Sequence, residues 1–277
     1  MVSMTLSSAA ASTVITASAA TDTGLVRLVN EDSYLAAAPL FLVADGMGGH
    51  SAGDKASQAT RDTLAAAATN GEPTTPAVVL EAIRRSNEVV RAIPGTEGVG
   101  RSICGTTLAG LALVRAGHHD RLHWMAFNIG DSRIYSWDGR VLLQLSVDHS
   151  AVAELVEAGL ITAEQAEVHP ERNVITRAIG ASETVDADVW LLPASGTQSF
   201  LLCSDGLTRE VDDENIAAIL AGTDSGAAAQ ALVDAALAAG ARDNVTVVVL
   251  EAVTVIDHAD DDLENTLGDL EDTVPRA

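Results

Sequence analysis

Five strand-like stretches of this chain end on, or begin from, an acidic residue set beside glycine or asparagine. Leu40-Phe41-Leu42-Val43-Ala44 runs into Asp45 and then Gly46-Met47-Gly48-Gly49. Phe127-Asn128-Ile129-Gly130 runs into Asp131, and Phe200-Leu201-Leu202-Cys203 leads through Ser204 to Asp205-Gly206. Asp243-Asn244 stands before the apolar run 245–250, and Glu31-Asp32 follows Asn30 and precedes a strand over 34–37. Strand ends are where a rigid scaffold commonly assembles a site. Any one Asp-Gly reads more simply as a turn whose carboxylate bonds its own backbone. Five together are harder to explain as isolated turns, although spacing alone does not bring them to one place.

The intervening pattern predicts strands in blocks and helices in pairs. β-Branching marks a strand over 13–19. Residues 34–37 and 40–44 read as a hairpin around Pro39, and further strands are expected at 105–115, 121–129, 132–137 and 140–145, with Asp138-Gly139 as a tight turn. Ala52, Ala56, Ala59 and Thr63 share one face of a first helix. A second opens with Thr75 as N-cap and Pro76 at its first position and turns Leu80, Ile83 and Val90 inward. Residues 150–180 break the pattern into short helical pieces, with Thr162-x-x-Gln165 as a capping box. Strands at 185–192 and 197–203, helices at 213–221 and 226–239, and a strand over 245–250 that is apolar on both faces complete the series. This is an α+β order, two sheets covered by helices rather than a strict βαβ alternation.

Composition narrows the partners. Hydrophobic residues make up 47% of the 277, enough to bury a core. The net charge of −23 argues against nucleic acid and against anionic membrane surfaces. Residues 257–277 carry eight acids and one base and read as a disordered acidic tail, and the first twelve residues read as loose. Cys104 and Cys203 lie far apart among apolar neighbours and form neither a disulfide framework nor a metal pair. No 18-residue apolar run and no basic leader are present, so a cytoplasmic chain without a membrane anchor is expected.

If the five carboxylate sites converge, their mutual repulsion calls for a counter-charge. An all-oxygen set selects hard divalent cations, Mg²⁺ or Mn²⁺, over zinc. Two such ions can activate a water and clamp a phosphoryl oxygen. Arg27, the only basic residue among the first 54, stands four positions before Glu31, and its planar guanidinium suits a phosphate. A plain surface arginine is the competing explanation. Two bound ions would make the site locally cationic inside an anionic protein.

These residues fall into an ordered set: Asp22-Thr23-Gly24…Arg27…Asn30-Glu31-Asp32, Asp45-Gly46-Met47-Gly48-Gly49-His50, Gly105-Thr106-Thr107, Gly130-Asp131-Ser132-Arg133, Asp148-His149-Ser150, Arg172-Asn173…Thr176-Arg177-Ala178, Ser204-Asp205-Gly206-Leu207 and Asp243-Asn244-Val245-Thr246. The set resembles the PPM, or PP2C-type, metal-dependent serine/threonine protein phosphatases in their bacterial form, over about residues 13–251. The resemblance implies a four-layer α-β-β-α sandwich, with two antiparallel sheets flanked by helix pairs, a flap over 148–180, and a catalytic domain over 13–256. It implies Mn²⁺ or Mg²⁺, with two core ions and a third, weaker one. Asp45 would bridge the core ions and Gly46 would lend its carbonyl. Asp205 and Asp243 would complete the first ion's shell. Glu31 would support the second through water, with Asp32 and Asn244 in the surrounding layer. Asp131 and Asp205 would hold the third, joined by the carbonyl near Asn173. Arg27 would bind the substrate phosphate.

Implied with these is hydrolysis of phosphoserine and phosphothreonine in proteins by metal-bound hydroxide, opposing bacterial Ser/Thr kinases, by a monomer whose partners are those kinases and their substrates. Met47 stands where animal members carry a histidine, which leaves His50 and His149 as acid or substrate contacts. Each reads somewhat more simply as a turn or helix-start hydrogen bond. The alternatives are a phosphoprotein-binding pseudophosphatase, which would need a lost ligand, and a dedicated stress-response regulatory phosphatase. Members of the latter kind usually carry a sensor domain, for which this length leaves no room.

Overall fold

A computed structural model of the chain describes residues 2–7, 11–48, 52–68, 71–94, 104–117 and 121–256. His50 and the acidic segment 257–277 lie outside the described residues. In chain order the elements are β1 (Val2–Ser7), β2 (Ala11–Asp22), β3 (Asp32–Ala37), β4 (Leu40–Met47), α1 (Gly53–Ala67), α2 (Pro76–Arg91), β5 (Gly105–Thr106), β6 (Leu108–Ala116), β7 (Arg121–Ile129), β8 (Arg133–Trp137) and β9 (Leu142–Gln144). Then come α3 (Ala151–Glu157), α4 (Ala163–Glu167), β10 (Asp188–Pro193), β11 (Gly196–Cys203), α5 (Asp205–Thr208), α6 (Asp213–Gly222), α7 (Ser225–Ala239) and β12 (Val245–Ile256).

The strands form two antiparallel sheets, ordered β1-β2-β12-β11-β8-β9 and β10-β7-β6-β4-β3, with β5 pairing β4. Period-2 alternation builds three cores from them. Phe41, Val43, Leu111, Leu113 and Trp124 of one sheet meet Ile15, Phe200, Leu202, Val248 and Leu250 of the other. The opposite face of β4 (Leu40, Leu42, Ala44) packs on α1 and α2 through Ala56, Leu64, Val79, Ile83 and Val90. Leu201, Cys203, Val245 and Val247 pack on α5, α6 and α7 through Leu207, Ile216, Leu232 and Val233. The order is therefore helices, sheet, sheet, helices, as the α+β reading and the resemblance imply. Both cysteines are free and buried.

Local signals are met closely. Thr75 caps α2, accepting from the Val78 N–H with Pro76 at the first position, and Thr162 with Gln165 closes a capping box on α4. Three expectations need correction. In place of a loose start, Val2–Ser7 pairs over its whole length with Ser12–Ala17 and buries Leu6. Leu80 is 44% exposed, because the buried stripe of α2 runs through Val79, Ile83 and Val90, and a one-residue step rotates a side chain about 100° around a helix. In α1 the buried line is Ala56, Thr60 and Leu64, which leaves Ala59 and Thr63 half-buried at its edge.

Candidate metal centre

The strand alternation that builds the middle core also aims the acids. Asp45 continues the Phe41–Val43 side of β4, and Asp32 is its registered partner on β3. Asp45 is clamped by backbone: its N–H donates to Thr107 Oγ1 at 2.9 Å, and its carbonyl accepts from the Thr107 N–H and the Thr106 hydroxyl, each at 2.9 Å. Gly46 follows because nothing larger fits: a Cβ there would lie 2.2 Å from the Gly53 carbonyl oxygen and 2.5 Å from that of Glu31. This close approach sets Glu31 beside the start of α1.

The second sheet supplies Asp205 and Asp243. Asp205 opens α5, and a Cβ on Gly206 would lie 2.0 Å from the Asn244 carbonyl oxygen, so the Asp205 and Asp243 segments are pressed together. Asn244 then ties three backbones to β12. Its amide donates to the Thr23 and Val29 carbonyls at 2.9 and 3.1 Å, and its oxygen accepts from the Glu31 N–H at 2.8 Å. The loop carrying Arg27 and Glu31 is thereby held against Asp243. Asp131 follows Gly130 at the end of β7. Beneath the cluster, Ser204 donates to Asp32 Oδ2 at 2.9 Å while its oxygen accepts from the Thr246 N–H at 2.9 Å.

The result is one electrostatic unit of Glu31, Asp32, Asp45, Asp131, Asp205 and Asp243. Burial raises Asp45 well above the usual carboxylate range, and the charges of Asp32, Asp205, Asp131 and Asp243 raise it further. Burial, then Asp131, pushes Asp205 up to about 8. Burial also raises Asp131, Glu31 and Asp32, the last to about 6. Two guanidiniums face the group. Arg27 Nη2 lies 2.8 Å from Asp243 Oδ2, with its side chain 50% exposed at the rim. Arg209 contacts Asp205 and approaches Asp243 at 3.5 Å and Asp131 at 4.0 Å.

Six carboxylates against two guanidiniums leave a formal excess of four negative charges when all are ionised, the charge of two divalent cations. The Oδ1 atoms of Asp32, Asp131 and Asp205 are buried with no hydrogen-bond partner. Buried carboxylate oxygens without partners are costly, and an all-oxygen donor set fits hard cations. Among the described residues no three of these acids are already turned into a common shell, since Asp205 and Asp243 are directed at arginines.

Other candidates fall elsewhere. His149 is buried: its Nδ1 accepts from the Gly130 N–H at 3.0 Å, and its Nε2 lies 3.2 Å from Asp188 Oδ2 without a hydrogen bond of good geometry. Asp188 is held in turn by Arg177 at 2.6 Å. That arrangement fixes the base of the 148–180 excursion, and the Gly130 contact is the turn hydrogen bond that the sequence also allows for His149. Asn173 is exposed in a turn. Arg133 is committed to Asp148 through contacts of 2.7–3.1 Å. The residue missed from sequence is Arg209, whose available signal was its position four after Asp205, the spacing of a helical ion pair.

An α-β-β-α sandwich with an acidic cluster where its sheets meet defines a class, and the comparisons place the chain within it. The sequence profile of the family described as protein phosphatase 2C matches residues 26–247. The chain belongs to this family. It is 38% identical over 248 residues to the serine/threonine protein phosphatase PstP of Mycobacterium tuberculosis, covering 87% of this chain but only 45% of that protein. It is 34% identical over 244 residues to the serine/threonine phosphatase stp of Listeria welshimeri, covering 83% and 93%. Among solved structures, the PstP catalytic domain in complex with two manganese ions superposes with a TM-score of 0.75 and 36% identity, over 87% of this chain and 99% of that one.

Proposed function

We propose that the chain is a protein phosphatase that hydrolyses phosphoserine and phosphothreonine in proteins and depends on divalent cations, Mn²⁺ or Mg²⁺. The observation that carries this reading is Asp45, half-buried and ringed by Asp32, Asp131, Asp205 and Asp243 from separate strand ends, with a half-exposed arginine at the rim. Asp45, Asp205, Asp243 and Glu31 would hold two core cations, and Asp131 with Asp205 a third. When bound, the cations would supply Lewis-acid charge to the phosphoryl oxygens and lower the pKa of a water.

The chain's own residues do the rest. Arg27 is cationic at any working pH, its pKa raised first by its hydrogen bond to Asp243, and that bond engages only one of its two terminal nitrogens. A guanidinium offers five donors in a fixed fork, so Arg27 can bind two phosphate oxygens and orient the ester. Asn244 and the Gly46 contact hold Arg27 and Glu31 in register with Asp45 and Asp243, so little reorganisation is needed when phosphate arrives. Asp32 and Ser204 keep the floor of the site polar and fixed.

The likeness to PstP and stp supports protein substrates, and we extend it to phosphoproteins made by Ser/Thr kinases of the same cell. Release of phosphate from a phosphothreonine peptide tests the reading. Activity should require Mn²⁺ or Mg²⁺, vanish with EDTA and return with Mn²⁺, and fall at least 100-fold in Asp45→Asn (roughly the effect of losing one major electrostatic group). Undiminished turnover by Asp45→Asn would overturn it.

A further inference from the structure

Arg209 directly follows α5, and its N–H donates to the Asp205 carbonyl at 2.9 Å, so this single turn returns the side chain over Asp205. Its Nη2 contacts Asp205 Oδ2 and lies 4.0 Å from Asp131 Oδ2, while Nη1 lies 3.5 Å from Asp243 Oδ2. One guanidinium therefore faces three of the carboxylates that the proposed function gives to cations. Asp131 and Asp205 are 7% and 8% exposed, and each has an Oδ1 without a partner, so neither can exchange Arg209 for solvent by a small rotation. A guanidinium and a hard cation compete for the same oxygens, and their charges repel.

We propose that Arg209 is a built-in counter-ion: it holds the acidic cluster together before metal binds and weakens cation binding at Asp131 and Asp205, so that occupancy there follows the free divalent-ion concentration. The inference rests on the metal-dependent reading of the site. Arg27 cannot take this part, because its contact is with Asp243 at the rim and it has no contact with Asp131 or Asp205.

The test is calorimetric titration of the full chain with Mn²⁺ alone, for wild type, Arg209→Gln and Arg209→Lys, together with thermal unfolding in EDTA. Arg209→Gln should tighten the weakest class of Mn²⁺ site roughly 5-fold or more, the lower end of a typical coupling between sites. Its metal-free midpoint should fall below wild type, and saturating Mn²⁺ should narrow that gap. Arg209→Lys should lie between the two, since an ammonium keeps the charge without the fork. Should Arg209→Gln not fold without metal, Arg209→Lys carries the same test in the same direction. Equal or weaker Mn²⁺ binding by the variants overturns the proposal alone. Absence of Mn²⁺ binding by wild type overturns the metal reading and this proposal with it.

Discussion

Asn244→Ala removes the side chain that ties the Arg27 loop to the second sheet. The residue is 4% exposed, and its amide serves the carbonyls of Thr23 and Val29 and the N–H of Glu31. An intramolecular hydrogen bond contributes about 0.5–1.5 kcal/mol net, and a buried group left without a partner costs about 1–3 kcal/mol. Water can reach part of this loop, since its neighbours Leu25 and Leu28 are 66% and 98% exposed. We therefore take the low end for each of the three and expect a loss of about 2–4 kcal/mol. For a domain of this size, 1 kcal/mol moves the midpoint by about 2–4 °C, so Tm should drop by roughly 5–15 °C. Thermal unfolding by circular dichroism in EDTA and in excess Mn²⁺ measures this. Because the freed loop carries Arg27 and Glu31, kcat/KM on a phosphopeptide should fall as well. A Tm within about 2 °C of wild type would refute the idea that Asn244 organises the site.

Gly206→Ala should be more severe than an ordinary Gly→Ala change, since its Cβ would sit 2.0 Å from a backbone oxygen of Asn244 and force Asp205 away from Asp243. Its measure is Mn²⁺ affinity alongside Tm, and wild-type values for both would contradict it. In EDTA the protein should lose stability as pH rises. Burial and Asp131 raise Asp205 in the folded state to about 8 from an ordinary 3.8, so between those values the folded state binds the extra proton and stability declines with pH. Midpoints that climb steadily from pH 6 to pH 8 would contradict the burial of these acids. His149→Gln should lower Tm while leaving the shape of the kcat–pH profile unchanged, because His149 is occupied by Gly130 and Asp188. Loss of one limb of that profile would identify His149 as the acid.

Much of this architecture was legible because its signals are local. Thr75-Pro76, Thr162 with Gln165, and Asp138-Gly139 each act within four residues, and all appear where expected. The acids were legible because each ends or precedes a strand that must be apolar to be buried, which makes Asp45 and Asp205 stand out from the solvated majority. What was not legible depends on contacts distant in sequence or on phase. β1 alternates apolar and polar residues over only six positions and is held by pairing with β2, and Leu80 differs from Val79 only by rotation about the helix axis. Asp205 and Arg209 look like any surface i,i+4 pair until the fold brings Asp131 and Asp243 to the same guanidinium. His149 likewise meets Asp188 only through the packing of β10 on β7.

The most direct test of the whole account is anomalous diffraction at the manganese edge from crystals grown with Mn²⁺. The account predicts two strong peaks sharing Asp45 as a ligand, one also bound by Asp205 and Asp243, with Arg209 displaced from any third peak beside Asp131. Density showing Asp45 without manganese, while Mn²⁺ binds only at exposed surface acids, would contradict it.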